Sequence, residues 1–192
     1  MEDAMAVLRE AFPAEVCHRP LDTEELRVWE HKQGVVLPEP YRTFLTEIAN
    51  GTEDGPPDEG GLLPLGEKPD SWADWEAHCW MSPEPFDGAA LRVPGQPFPL
   101  EEEWQWEYDY CDHTCHSPLL HQTYQHGSVL LGSDSPGEYW TLVVAGPQRG
   151  RVWWLGDGCA APYADRPSDQ PGGDFLHWVR DWHVGQGWWR AE

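Results

Sequence analysis

Leu37-Pro38-Glu39-Pro40-Tyr41-Arg42-Thr43-Phe44-Leu45-Thr46-Glu47-Ile48-Ala49-Asn50-Gly51 leads into an acidic loop and then into Gly61-Leu62-Leu63-Pro64-Leu65. Pro38 suits the first turn of a helix, where its missing N–H has no partner to lose. Tyr41, Phe44, Leu45, Ile48 and Ala49 follow at i, i+3, i+4, i+7 and i+8, which makes one apolar stripe. Asn50-Gly51 reads as the stop, because glycine takes a left-handed cap without a Cβ clash. The short 62–65 run then reads as a strand or its edge. Helix, stop, loop and strand make one packing unit.

On the N-terminal side, Met5, Leu8, Ala11 and Phe12 predict a short helix ended by Pro13. Asp22, with Glu25 three residues on, has the pattern of a capping box, and Leu21 is placed to staple onto Leu26. That second helix carries Leu26 and Trp29 inward and stops at Gly34.

On the C-terminal side, Ser71 opens a candidate third helix running to Trp80. Pro83, Pro85, Pro94, Pro97 and Pro99 then mark an irregular connection. Residues 101–110 switch to period two: Trp104, Trp106, Tyr108 and Tyr110 alternate with Gln105, Glu107 and Asp109. This predicts a half-buried strand with one acidic face. Strands are also predicted over 128–131, 139–145 and 151–155, with Ser133 and Ser135 in a hairpin turn and residues 157–173 as loop. Phe175, Leu176, Trp178, Val179 and Trp182 predict a closing helix. Helices, then strands, then a helix argue for an α+β fold: N-terminal helices packed on a central, mainly antiparallel sheet, with a C-terminal helix.

The Leu-Pro-x-x-Tyr-x-x-Phe-Leu pattern at 37–45, the Asn50-Gly51 stop and the Gly61–Leu65 run resemble the SUKH superfamily. A second likeness lies in Gly137-Glu138-Tyr139-Trp140-Thr141-Leu142-Val143-Val144-Ala145-Gly146 and the following Gly150-Arg151-Val152-Trp153, which in that family form strand, turn and strand of the central sheet. The resemblance implies a core over about residues 20–185 of a single 1–192 domain, with 1–19 as a helical extension. Residues 83–125 match no part of the family pattern, and stand either as a recognition insert or as a covering for the sheet. Members of the superfamily include fungal cell-wall assembly regulators and bacterial immunity proteins that neutralise polymorphic toxins.

The chain has 192 residues, 34 acidic and 12 basic side chains and a formal charge of −22. Nucleic acid is a poor partner for it, since phosphate binding relies on Lys and Arg to release counterions; an anionic membrane surface is disfavoured for the same reason. A basic protein is what such a field attracts, although acidity also serves solubility alone. Met1-Glu2-Asp3-Ala4-Met5 lacks the basic start and apolar core of a signal peptide, and no apolar run reaches membrane-spanning length. Five scattered cysteines read as reduced thiols, so a cytoplasmic location is expected. Nineteen glycines and nineteen prolines beside two lysines resemble translation from a GC-rich bacterial genome.

Candidate chemistry is sparse. Cys111, His113, Cys115 and His116, with His121 and His126 nearby, form the best metal constellation. The usual two-residue cysteine spacing of zinc sites is absent and no second pair follows, so no metal and no cofactor is assigned. There is no Gly-x-Ser-x-Gly elbow and no phosphate-cradling loop. Thirteen tryptophans beside many carboxylates raise a carbohydrate-active hydrolase, with Glu103 and Glu107 as acid and base. Core packing accounts equally well for Trp29, Trp75, Trp140 and Trp178, and no catalytic residue is assigned.

Two acidic segments remain. Glu53, Asp54, Asp58 and Glu59 form one; Glu101, Glu102, Glu103, Trp104, Trp106, Glu107, Tyr108 and Asp109 form the other. Interfaces take anchoring energy from buried Trp and Tyr and steering from complementary charge. Together with the resemblance, these residues suggest an immunity protein that binds a cognate, basic toxin one to one, a nuclease being one such target. A scaffold or regulator, as in the fungal relatives, is the alternative. Oligomeric state is not legible.

Overall fold

In the computed structural model, residues 4–57, 60–70, 72, 92–105, 118–156, 159–163 and 173–185 are described. The element order is α1 (Ala4–Ala11), a 3-10 turn (Ala14–Val16), α2 (Thr23–Gln33), α3 (Tyr41–Glu47), β1 (Trp104–Gln105), α4 (Pro118–Gln125), β2 (Ser128–Ser135), β3 (Glu138–Val143), β4 (Val152–Gly156), β5 (Cys159–Pro162) and α5 (Phe175–His183).

The capping box at the start of α2 forms as the sequence predicts. Asp22 accepts from the Glu25 backbone N–H at 2.8 Å, and the Glu25 carboxylate accepts from the Asp22 N–H at 2.8 Å. Gly34 closes the helix in the left-handed conformation at φ 68°. The α3 helix differs at both ends from the prediction. A residue before proline is pushed out of the helical region, so Glu39 is excluded by Pro40 and the helix opens at Tyr41, not at Pro38. Glu39 still serves it, accepting from the Thr43 N–H at 3.1 Å and the Thr43 hydroxyl at 2.6 Å. At the other end the helix stops at Glu47, and the Asn50 side chain accepts from Leu65 N–H at 2.8 Å. Gly51 is required twice over. Its φ is 94°, and a Cβ there would stand 2.9 Å from Pro64 N.

Residues 62–65 do not form the predicted strand. Pro64 removes a ladder donor, and the remaining groups are satisfied piecemeal: Leu62 N–H by the Thr52 hydroxyl at 2.9 Å, Leu63 N–H by the Leu131 carbonyl at 2.8 Å. The segment therefore lies along the outer edge of β2 without extending the sheet.

The five strands run β1-β5-β4-β3-β2, every neighbouring pair antiparallel. Ser133 and Ser135 belong to β2 rather than to the predicted turn, which narrows to Pro136-Gly137. Two register shifts in β2 give it bulges. At one of them Gly132 meets Pro57 so closely that a Cβ would lie 2.3 Å from the proline ring. Strand β5 falls inside the predicted 157–173 loop, and α4 was not predicted at all.

Side chains alternate between two cores. Val129, Leu131, Trp140, Leu142 and Val152 pack against Leu8, Phe12, Leu26, Phe44, Leu45, Phe175 and Trp178 of the helices. Leu130, Tyr139, Val143, Trp153, Leu155 and Ala160 meet Trp72, Phe98, Leu100 and Tyr124 on the opposite face. An antiparallel sheet buried on both faces needs near-continuous apolar strands, as Val129-Leu130-Leu131 and Val152-Trp153-Trp154-Leu155 supply. The described parts of residues 83–125 thus act as a covering for the second face. Trp140 and Trp178 are core residues, and Trp29 is half-buried against the first core; Trp75 lies outside the described residues.

Candidate functional site

The first acidic segment is held on the edge of the sheet nearest β2. Glu53 N–H donates to the Val16 carbonyl at 2.8 Å, and Thr52 bridges to Cys17. Pro56 and Pro57 are buried, Pro57 against Gly132 of β2, while Glu53 and Asp54 are exposed. Buried prolines anchor the loop and leave its acids in water. Asp58 and Glu59 lie outside the described residues.

The second acidic segment is at the other edge. Glu101, Glu102 and Glu103 are exposed and lead into β1, where Trp104 is half-buried against the second core and Gln105 is exposed. This is the alternation the sequence predicts, over the two residues in which it can be read. The Gln148 side chain fastens the segment by donating to the Glu101 carbonyl at 3.0 Å. Trp106, Glu107, Tyr108 and Asp109 lie outside the described residues. The two acidic segments flank opposite edge strands of the five-stranded sheet, β2 and β1. The fold presents two acidic rims and does not bring them into one patch.

Their electrostatic state differs from that of the helix acids. Glu24, Glu25 and Glu47 pair with Arg27, Arg19 and Arg9. Those hydrogen-bonded guanidinium groups hold the Glu24 and Glu25 carboxyls below the usual range. Among the described residues, Glu53, Asp54, Glu101, Glu102 and Glu103 have no cationic partner. Their charge is open to whatever approaches.

A cleft that the sequence reading did not single out lies between the 36–39 segment, the turn joining β3 to β4 and the start of α5. It measures about 700 Å³ and is lined by Arg42, Arg149 and Arg151, by the carboxylates of Glu39 and Asp174, and by Val36 and Pro38. Glu30 organises one wall. It is 6% exposed, and accepts from Leu37 N–H at 2.9 Å and from the Arg42 Nε at 2.9 Å and Nη2 at 3.2 Å. The signal was legible: Glu30 stands at i+4 from Leu26, an acid on the buried stripe of α2.

Among the described residues no group of three or more His, Cys, Asp or Glu is placed to hold a metal. Cys111, His113, Cys115 and His116 lie outside the described residues, as does Glu107 of the hydrolase reading. No helix among them is long and apolar enough to cross a membrane.

Cys17 is a half-buried thiol whose Sγ lies 3.7 Å from the Phe12 carbonyl. Burial, and then the charge of Glu15, push the Cys17 thiol above its usual range. The thiolate is the reactive form, so a disulfide reagent at pH 8 will modify Cys17 several-fold more slowly than free cysteine. The rate will climb with pH, and the difference will vanish in denaturant. Peptide mapping by mass spectrometry reads this directly; a Cys17 that reacts as fast as free cysteine contradicts it.

Neither a curated protein nor a solved structure matches the chain. A family model does, over residues 20–170, a span that includes α2, α3 and the whole sheet. The chain belongs to the SMI1 / KNR4 family (SUKH-1).

Proposed function

We propose that this protein is an immunity protein that neutralises a cognate, basic toxin by one-to-one binding, with residues 1–192 acting as one unit in the cytoplasm of a bacterium. The observation that carries the reading is the set of exposed carboxylates at Glu101, Glu102 and Glu103, with no cationic partner among the described residues, beside a half-buried Trp104, on a chain of this family. Carboxylates presented where a nuclease expects phosphates would block its active site, and the adjoining aromatic ring supplies apolar contact. Glu53 and Asp54, on the far rim, add to the long-range field. Binding needs no catalytic group, and none is assigned.

The test is calorimetric and kinetic titration with the product of the adjacent reading frame, at low and high salt. Tight one-to-one binding with association that slows as salt rises is expected, because exposed charges are screened. Changing Glu101, Glu102 and Glu103 together to Lys should slow association about ten-fold or more, the range of electrostatic steering. Unchanged affinity in that variant would remove the rim from the interface, and absence of binding at either salt would return the protein to a scaffold role.

A further inference from the structure

The second core contains hydrogen-bond donors for which the described residues supply no acceptor. Arg92 packs its guanidinium 5.2 Å from the ring centroid of the buried Trp72, and that ring lies 4.8 Å from the ring of Tyr139 on β3. The Arg92 Nη2 donates to the Ser128 carbonyl at 2.9 Å and to the Ser128 hydroxyl at 2.7 Å. Its Nη1 is enclosed and has no hydrogen-bond partner, and neither has the Thr141 hydroxyl or the Trp153 indole N–H. All of these groups belong to one face of the sheet. Thr141 follows Tyr139 by two residues on β3, opposite Trp153 on β4 and Leu130 on β2. Ser128, opposite Val143, is its diagonal neighbour. Directly opposite side chains begin about 5 Å apart and diagonal ones about 7–8 Å. Arg92, Ser128, Thr141 and Trp153 therefore follow one line across three strands. Tyr124, on the same face, shows the contrast: its hydroxyl donates to the Gly156 carbonyl. Nor does any described carboxylate pair with Arg92. Burial pushes its guanidinium down to about 10, which still leaves it charged at neutral pH, and a desolvated charge calls for a counter-charge.

We propose that the second core binds one small monovalent anion of the halide class, chloride in practice, held by Arg92 with Thr141 and Trp153 as further donors. The donor inventory decides between an anion and a water. Nη1 and the indole N–H can only donate. A water would accept from two of these groups, but it brings two hydrogens of its own and no charge to set against the guanidinium. An anion accepts from every donor and neutralises the arginine. Single charge matters too, because a polyanion would meet the full repulsion of a chain with formal charge −22. Arg92 is in place before the ion arrives. The segment it opens is pinned by the Val93 N–H to the Gln125 carbonyl at 2.7 Å and by the Phe98 N–H to the Ala145 carbonyl at 3.0 Å. Little ordering cost then falls on binding. The consequence is structural: Arg92, Phe98 and Leu100 belong to the covering of the second face, and Thr141 and Trp153 to the sheet beneath it. An ion shared between them clamps the covering onto the sheet. The site is independent of the toxin reading.

The experiment follows thermal unfolding of the full chain at constant ionic strength while sodium chloride replaces sodium gluconate. A ligand that binds only the folded state raises the midpoint, and the parent should gain roughly 4–8 °C between about 1 and 150 mM chloride. Bromide should act in the same way. The NMR linewidth of chloride should broaden in the presence of the parent, and the excess should disappear with Arg92→Met. Thr141→Val separates a ligand from an ordinary orphaned hydroxyl. Valine is close to threonine in shape, so this variant should fold, and in gluconate it should unfold at or above the parental midpoint because a buried unpaired hydroxyl is gone. In chloride it should unfold below the parent, with chloride affinity about five-fold weaker. A parental midpoint indifferent to chloride overturns the site, as does a Thr141→Val midpoint raised equally in both salts. Broadening that survives in Arg92→Met places the ion elsewhere and also overturns it. If Arg92→Met does not fold, the Thr141→Val comparison decides alone.

Discussion

Trp178→Ala will destabilise the protein by about 3–5 kcal/mol, the range for removing a fully buried large aromatic side chain. Trp178 is 0% exposed, on the inner face of α5, with its ring 5.7 Å from that of Trp140 on β3 and 6.3 Å from that of Phe175. It joins the closing helix to the centre of the sheet. Neighbouring rings are too stiff to collapse into the space left by an indole, so the cavity cost adds to the lost burial. For a chain of this length the midpoint of thermal unfolding should fall by roughly 10–15 °C. Val28, 57% exposed on α2, is the control: Val28→Ala should stay within about 0.5 kcal/mol of the parent. Urea unfolding of both variants checks this. A Trp178→Ala protein within about 1 kcal/mol of the parent would mean that α5 contributes little to the first core.

Glu30→Ala will cost about 3 kcal/mol, and for a different reason. The change strands the Leu37 N–H in a buried place and leaves Arg42 without its partner. Arg42 retains 32% of its side-chain exposure, so water recovers part of its loss and the cost stays below that of a fully buried pair. Glu30→Gln keeps an acceptor for Leu37 and should cost about half as much. Glu30→Ala with Arg42→Ala should be less destabilising than the two single changes added together, since neither partner is then left alone. The effect should persist in 1 M salt, where the exposed Arg19–Glu25 pair contributes nothing measurable. An additive double variant would show that the pair is not coupled.

The elements legible in the sequence are those whose signals are local. Asp22 with Glu25, Gly34, the Tyr41–Leu45 stripe and the Phe175–Trp182 face each carry their reading within a few residues, and each is found. What was missed had weaker or competing local signals. Cys159-Ala160-Ala161-Pro162 has poor strand propensity, and becomes β5 because β4 and β1 take its two edges. The Asp157-Gly158 pair between it and β4 was the available hairpin signal. Helix α4 was hidden by histidines that drew attention as ligands, although Pro118 at its first position fits a helix start. The opposite error arose at 62–65, where an apolar run looked like a strand but Pro64 and side-chain acceptors broke the ladder.

The acidic segments were legible as sequence but not as geometry, since nothing local says which sheet edge a loop will occupy. Glu30 on the buried stripe of α2 was the legible trace of the arginine cleft, but its assembly was not legible, for the same reason. Arg42 and Arg149 lie more than a hundred residues apart, and meet only because the β3–β4 turn folds back onto the 36–39 segment.

A sheet wrapped on both faces separates two kinds of evolutionary freedom. The strand side chains are locked between two cores, so nearly any change to them lowers stability. The charged groups at Glu53, Asp54, Glu101, Glu102 and Glu103 touch neither core, and exchanging them moves stability by only a few tenths of a kcal/mol. Surface charge can therefore be rewritten along the margins of this molecule while its centre stays fixed. Such a chain can change the surface it presents without first re-solving its own folding problem.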